Sequence, residues 1–120
     1  MANKVTVATT WLQGCSGCHM SVLDMHHELV DLLDLIDIRY SPLVDAKVIP
    51  QVDVGIVEGA VSNNENEKIL KRFREKSKIL IALGTCACTG GISGFRNLTT
   101  PERVLKCGYV ETPTTIDGKV

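Results

Sequence analysis

No apolar run in this 120-residue chain approaches the roughly 18 residues that a membrane-spanning helix needs. An excess of one charge is missing too. Thirteen Lys and Arg against 14 Asp and Glu leave a formal net charge of -1, which argues against the basic footprint of a nucleic-acid binder. Residues 1–20 lack the charged start, apolar middle and small-residue cleavage site of a secretory signal. The expected compartment is therefore the cytoplasm, where thiols stay reduced. There is no internal repeat and no low-complexity segment, and no Gly-x-Gly-x-x-Gly follows a strand-like run, so nothing here reads as a nicotinamide site. The chain does have five cysteines, Cys15, Cys18, Cys86, Cys88 and Cys107. An odd number in a reducing compartment is a poor disulfide framework and points to metal binding or catalysis. One domain of this size buries about two thirds of its unfolded surface, so disulfide staples are not required for stability.

The pattern of residues predicts an α/β domain spanning 1–120. Residues 4–8 are short and β-branched and predict a strand. Val22, Met25, Leu29, Leu32 and Ile36 recur at spacings of three and four, which predicts a helix over 20–35. Residues 36–40 alternate like a half-exposed edge strand, and 52–57 give a third strand. Ser62 and Glu65 have capping-box spacing and open a helix to about Lys76, with Ile69, Leu70 and Phe73 inward. Residues 78–83 are almost unbroken in apolar character, as in a buried central parallel strand. Alternating strands and helices predict a doubly wound parallel sheet of flavodoxin type, in strand order 2-1-3-4. Beyond Gly84 a glycine-rich loop is expected, then a short helix over 101–106. Residues 98–120 are less regular, and this end reads as incomplete.

In such a sheet the loops at the carboxyl ends of the strands converge. Cys15 and Cys18 follow the first strand, and Cys86 and Cys88 follow the fourth, so both loops are expected on one edge. The first helix starts near Cys18, and its amino-terminal dipole would favour a thiolate. Gly14, Gly17, Gly84, Gly90 and Gly91 surround these cysteines, and glycine lets backbone amides approach sulfur closely. Three chemistries fit the residues. Cys-x-x-Cys between a strand and a helix is the signature of a thioredoxin-like dithiol, though that leaves Gly-Thr-Cys-Ala-Cys unused. Zinc accepts four cysteines, but Cys86-x-Cys88 is a poor second knuckle. An iron–sulfur cluster is the third, without the cysteine run of bacterial ferredoxins.

Three stretches carry a resemblance: WLQGCSGCHMSVLDM at 11–25, VDVGIVEGAVSNNEN at 52–66 and GTCACTGGISGFRN at 84–97. Together they resemble the small subunit of nickel-iron hydrogenases, in particular the cytoplasmic, bidirectional, NAD(P)-linked type. The resemblance implies a flavodoxin-like domain holding a [4Fe-4S] cluster that faces the large subunit's nickel-iron centre. It implies an electron-transfer role, with electrons passing to diaphorase-type flavin and iron–sulfur subunits that carry FMN and exchange with NAD(P). Matched residue by residue, Cys15, Cys18 and Cys86 are the first three cluster ligands. The family's fourth ligand lies in a later Gly-Cys-Pro-type motif that this sequence does not contain, so the chain is expected to be truncated relative to the family. Cys88 or Cys107 are the alternatives, and Cys88 would diverge from Cys86 in an extended loop. A third reading leaves the fold without the cluster.

Around the cysteines, Glu58 is expected at the end of the third strand, bordering the same crevice, and the resemblance suggests the cluster's vicinity or the proton route. Thr85 and Ser16 are candidate hydroxyl donors to sulfur. His19 could face the cluster or the large subunit, whereas His26 and His27 read as ordinary helix residues. Trp11 and Met20 are candidate interface anchors, which core packing explains as easily, and Arg96 and Asn97 after the glycine loop are candidate partner contacts. Two competing readings remain. One is the cluster subunit of quinone-reducing complexes, which shares the fold but typically carries adjacent cysteines at the first ligand position. The other is a stand-alone dithiol or metal-binding module.

Overall fold

The computed structural model describes residues 3–120. Four parallel strands form one sheet: β1 (Val5–Trp11), β2 (Ile36–Tyr40), β3 (Val52–Glu58) and β4 (Ser77–Leu83), in the order β2-β1-β3-β4. The expected order is the observed one. The chain leaves β1 toward β2 and leaves β3 toward β4 in the opposite direction, so the two helical connections lie on opposite faces. On one face is α3 (Asn64–Lys76), whose Phe73 is fully buried in a cluster with Ala8, Val52 and Val57. Ile69 and Leu70 pack against the same cluster, as the periodicity predicts. On the other face lie α1 (Gly17–Leu23) and α2 (His27–Leu33). No described helix is long and apolar enough to cross a membrane.

Local chemistry explains several departures from the sequence reading. β1 runs on past residue 8 to Trp11, because Thr9 and Thr10, although polar, are β-branched and suit a pleated strand. The single helix expected over 20–35 is two. The chain tightens after Leu23, with the Met25 amide donating to Val22 O and the His26 amide to Leu23 O, and His26 takes φ +51°. The apolar stripe runs through this break, but Val22 and Met25 are exposed while Leu29, Leu32 and Ile36 are half-buried. The capping device of α3 is shifted by one residue. Asn63 Oδ1 accepts the Asn66 amide at 2.8 Å, and Asn66 Oδ1 accepts the Ser62 amide and hydroxyl at 3.1 and 2.8 Å. Asparagine thus does what Ser62 and Glu65 were expected to do, since its short amide reaches backbone donors as well.

β4 is the edge strand that the expected order makes it, and it is not buried as its unbroken apolar character suggests. Leu80 packs on the core under α3, but Ile79 and Ile81 point to the face that α1 and α2 leave uncovered, and they are 60% and 42% exposed. The expected glycine-rich loop is instead a short helix, α4 (Gly84–Thr89), followed by a 3-10 turn (Ile92–Leu98). The final helix, α5 (Pro101–Tyr109), is longer than expected. Thr100 caps it by accepting the Arg103 amide, and Pro101 occupies its first turn, yet all nine of its residues are exposed.

The amino-terminal ends of three strands are tied by one carboxylate. Asp53 on β3 accepts the Thr6 amide at 3.0 Å and hydroxyl at 2.7 Å from β1, and Lys78 Nζ on β4 at 2.6 Å. These donors, Lys78 first, hold the Asp53 carboxyl far below the usual carboxylate range. The sign follows from linkage. A carboxyl whose folded pKa is depressed stabilises the fold fully above the ordinary aspartate pKa of about 4, and that contribution is lost as pH falls toward the folded value. Asp53→Ala is expected to lower the midpoint of urea unfolding at pH 7 and to flatten its decline between about pH 5 and pH 2. Parallel urea titrations of both proteins across that range check it, and equally steep acid limbs would rule the tie out.

Candidate functional site

The carboxyl ends of β1, β3 and β4 lie side by side, with Trp11 in register with Glu58 and Glu58 with Leu83. Past β1 the chain is stitched onto the end of β3. The Leu12 amide donates to Glu58 O at 2.8 Å, and Gln13 and Ala60 exchange amide–carbonyl bonds at 3.1 and 2.7 Å. Gly59 (φ +85°) permits this, because a Cβ there would press on the Leu12 and Gln13 backbone. The stitch aims the Gly14–Cys15 loop across the sheet edge toward α4, which follows β4 directly.

Cys15 and Cys18 follow β1 and Cys86 follows β4 at this edge, near enough that the charges of Cys15 and Cys86 act on Cys18. Gly84 (φ +85°) opens α4 directly opposite Cys18, and a Cβ on it would collide with Cys18 Sγ. Burial raises the pKa of the Cys18 thiol, and the nearby charges of Glu58, Cys15, Cys86 and Cys88 raise it further. Cys86 is shifted the other way. Its sulfur is met by the Ser93 amide and hydroxyl and by the Ile92 amide, which hold its pKa below that of an ordinary thiol. The Ser93 hydroxyl also reaches Gln13 O at 3.0 Å, so one side chain links the β1 loop to the third cysteine. Gly91 (φ +45°) brings the 3-10 turn against Thr85 and the Cys86 backbone, where a Cβ would not fit.

Ser93 is a residue the sequence reading passed over. Thr85 and Ser16 were the expected hydroxyl donors. Ser16 caps α1 with a left-handed backbone (φ +63°) and no side-chain bond, and the Thr85 carbonyl accepts the Thr89 hydroxyl. Reading Ser93 as a donor requires knowing that residues 84–98 fold as a helix and a 3-10 turn, which folds the chain back onto Cys86. Cys88 stands two positions along α4 from Cys86, so the two thiols diverge by about 200° around the helix. Cys88 Sγ donates to Ala82 O at 3.5 Å. The divergence is as expected, although a helix rather than an extended loop causes it. Cys107 lies exposed on α5 and is not among the charges that Cys18 feels. Among the described residues no three His, Cys, Asp or Glu are close enough to hold a single metal ion.

The residues fit three corners of a cluster. A [4Fe-4S] cage takes one cysteine on each iron, so its ligands surround a cage rather than converge on a point. The amide and hydroxyl donors on Cys86 suit the anionic sulfur of such a cage, and Gly84 and Gly91 let the backbone pack closely on Cys18 and Cys86. A cavity of about 300 Å³ opens behind Cys86, lined in part by Leu12, Gln13, Ser93 and Arg96.

Glu58 is 2% exposed and His19 5% exposed. Glu58 Oε2 accepts the His19 amide at 2.6 Å and lies 2.6 Å from His19 Nδ1. His19 Nε2 is 2.9 Å from Thr9 Oγ1, which is 2.8 Å from Ser41 Oγ. Trp11 meets the His19 ring edge-on at 5.3 Å. His19 therefore faces inward, while His26 and His27 are exposed, as ordinary surface positions. Met20 is exposed, and Arg96 Nη1 is 3.4 Å from Gln13 Oε1.

Comparison with known proteins agrees with this fold. Residues 15–120 match the family model described as NADH ubiquinone oxidoreductase, 20 Kd subunit. The chain belongs to this family. It is 44% identical over 118 residues to a subunit of the F420-non-reducing hydrogenase of Methanothermobacter thermautotrophicus, covering 96% of this chain and 38% of that one. It is 42% identical over 116 residues to the NAD-reducing hydrogenase HoxS subunit delta of Cupriavidus necator, covering 96% and 56%. A chain in the crystal structure of NAD+-reducing [NiFe]-hydrogenase in the H2-reduced state superimposes with a TM-score of 0.88 at 36% identity, covering 97% of this chain and 65% of that one. The relatives named here are hydrogenase subunits, as the three motifs imply. The chain spans 38% of the first of these relatives and 65% of the crystal-structure chain.

Gly84→Ala is expected to destabilise the fold by more than Gly90→Ala. Both glycines have positive φ, which costs another residue about 1–3 kcal/mol, but a Cβ at position 90 meets only ordinary contacts. Chemical denaturation of the two variants checks this, and equal losses would mean that Cys18 does not press on Gly84.

Proposed function

We propose that this chain is the electron-transfer small subunit of a nickel-iron hydrogenase and holds the cluster proximal to a partner's nickel-iron centre. The observation that carries the reading is that Cys15, Cys18 and Cys86, from segments after two different strands, share one sheet edge, with backbone packed closely through glycines and hydrogen-bond donors toward the Cys86 sulfur. The overall reaction is reversible oxidation of dihydrogen to two protons and two electrons. A bound [4Fe-4S] cluster supplies one-electron transfer at this edge.

This chain's residues would do the holding. Cys15, Cys18 and Cys86 take three irons, Ser93 and the amides beside it stabilise the anionic sulfur of Cys86, and Gly84 and Gly91 let the backbone pack closely on Cys18 and Cys86. A fourth ligand from outside these two segments completes the set. Glu58 borders the crevice, and the proton route is proposed for it as part of the same reading. The large subunit would dock on the exposed apolar residues beside the crevice, Trp11, Met20, Ile92, Phe95 and Leu98. Diaphorase-type flavin and iron–sulfur subunits with FMN and NAD(P) would receive the electrons in the cytoplasm, a pairing that the NAD-reducing relatives support.

Co-expression with its partner subunits and anaerobic purification is expected to give a complex with about four irons and four sulfides per cluster bound. Cys18→Ser should lose about four irons from the complex, and Cys107→Ser should keep them all. Dihydrogen-dependent reduction of NAD+ or NADP+ supports the diaphorase pairing, and reduction of a viologen dye alone points to another acceptor. Zinc or a titratable Cys15–Cys18 disulfide in place of iron and sulfide would overturn the electron-transfer reading in favour of a dithiol or metal module. Glu58→Gln, which keeps a carbonyl acceptor for the His19 amide, is expected to slow turnover.

A further inference from the structure

We propose that His19 is a positioning residue, the clamp that fixes Cys18 in the crevice. The proposal rests on the reading of Cys18 as a cluster ligand, but its geometry stands apart from the cluster.

The helix that carries Cys18 has little to hold it. α1 is seven residues long, its cap residue Ser16 makes no side-chain bond, and its first turn has no acidic residue. Helices this short are marginal on their own. The first-turn amide of His19 is capped from outside, by the buried Glu58 carboxyl 39 residues further along the chain. The His19 ring then reaches the same oxygen through Nδ1 and the opposite side through Nε2. From there the contacts run to Thr9 on β1 and to Ser41 just past β2, whose Oγ also accepts the Leu43 amide at 3.2 Å. One buried ring thus joins the start of α1 to the ends of β1 and β3 and to the turn after β2. Trp11 closes over its edge.

The residue type is suited to this task. Imidazole carries nitrogen on opposite edges of a rigid ring, so it bonds two partners that lie on either side of it. An asparagine or glutamine amide carries both its polar atoms on one carbon and reaches one side. Cys18 is the residue next to this clamp, and its sulfur lies directly against Gly84, where a small rotation of α1 has no room. Holding His19 therefore holds Cys18.

The test uses the full chain in its iron-free form and reads each cysteine separately, by iodoacetamide labelling followed by peptide mass spectrometry. In His19→Ala the labelling rate of Cys18 is expected to rise about tenfold relative to the wild type, the scale of one lost hydrogen bond to a charged group. Cys86 and Cys107 should be unchanged. Cys86 is the reference for general unfolding, because it is half-buried on a different element. His19→Asn keeps a donor near the Nδ1 position and loses the bond to Thr9, so its rise is expected to be smaller. An unchanged Cys18 rate in either folded variant overturns the proposal, as does a rise shared equally by Cys86. Should His19→Ala fail to fold, His19→Asn alone decides. In the assembled complex, His19→Asn is expected to retain iron but to shift the electron paramagnetic resonance signal of the reduced protein. A shifted signal supports the clamp, and an identical one overturns it. If no iron binds to any version, the cluster reading falls and the labelling result still decides whether His19 positions Cys18.

Discussion

Glu58 is an acidic side chain 2% exposed at the end of a strand, and a group of that kind has to be met by partners. Burying a carboxyl without hydrogen bonds costs several kcal/mol, enough to consume a large part of the net stability of a domain of this size. Its Oε2 faces two nitrogens of one residue, the amide and ring of His19. Meeting Glu58 requires α1 to start where it does and the loop before it to cross the sheet edge. The Leu12–Gln13 stitch to Gly59–Ala60 delivers the chain to that point. The cysteine loop is therefore set by the needs of a buried acid and by the backbone of β3, and the cysteines take their places from it.

The opposite end of the sheet solves a similar problem with exposed groups. Asp53 gathers Thr6 and Lys78 across three strands, but it lies near solvent, where ion pairs are worth little individually. It fixes the relative register of β1, β3 and β4 at their starts. In a parallel sheet that register carries through to the carboxyl ends, where Trp11, Glu58 and Leu83 line up. Between the two ends the apolar core is small, with Val7, Ala8, Val52, Val57 and Phe73 as its buried apolar side chains. Polar ties at both edges matter more in such a domain than they would in one with a larger core.

Much of this was legible in the sequence, because it depends on pattern. Short β-branched runs separated by one amphipathic helix and one helical stretch give the strands and their order, and the spacing of the cysteines gives the two loops that meet. What was not legible depends on the third dimension. β4 has the composition of a strand buried on both faces but leaves Ile79 and Ile81 exposed, since composition reports how apolar a strand is and not what covers it. The break at His26 is invisible to periodicity, as the apolar stripe keeps its phase across the turn. The capping of α3 by Asn63 instead of Ser62 turns on which of several adjacent polar residues reaches the amide, and sequence offers all of them equally.

Ser93 and His19 show two kinds of omission. Ser93 sits in Gly-Ile-Ser-Gly, a segment whose glycines suggest a flexible loop. Yet Gly90 and Gly91 take the positive φ angles that turn the chain back, so that a serine seven residues past Cys86 donates to its sulfur. Here glycine supplies a definite path rather than freedom. His19 was noticed for its neighbour Cys18 and was expected to face outward to a cluster or a partner. Its two ring nitrogens are both engaged inside the protein, with Glu58 on one side and Thr9 on the other. A side chain whose polar atoms are committed on both sides is poorly placed to serve as a further ligand without dismantling the network that holds it. The same commitment makes it effective as a brace, because any displacement of α1 strains contacts to two strands at once. Adjacency in sequence identified the right residue, and the hydrogen bonds assign it a supporting role behind the cysteine.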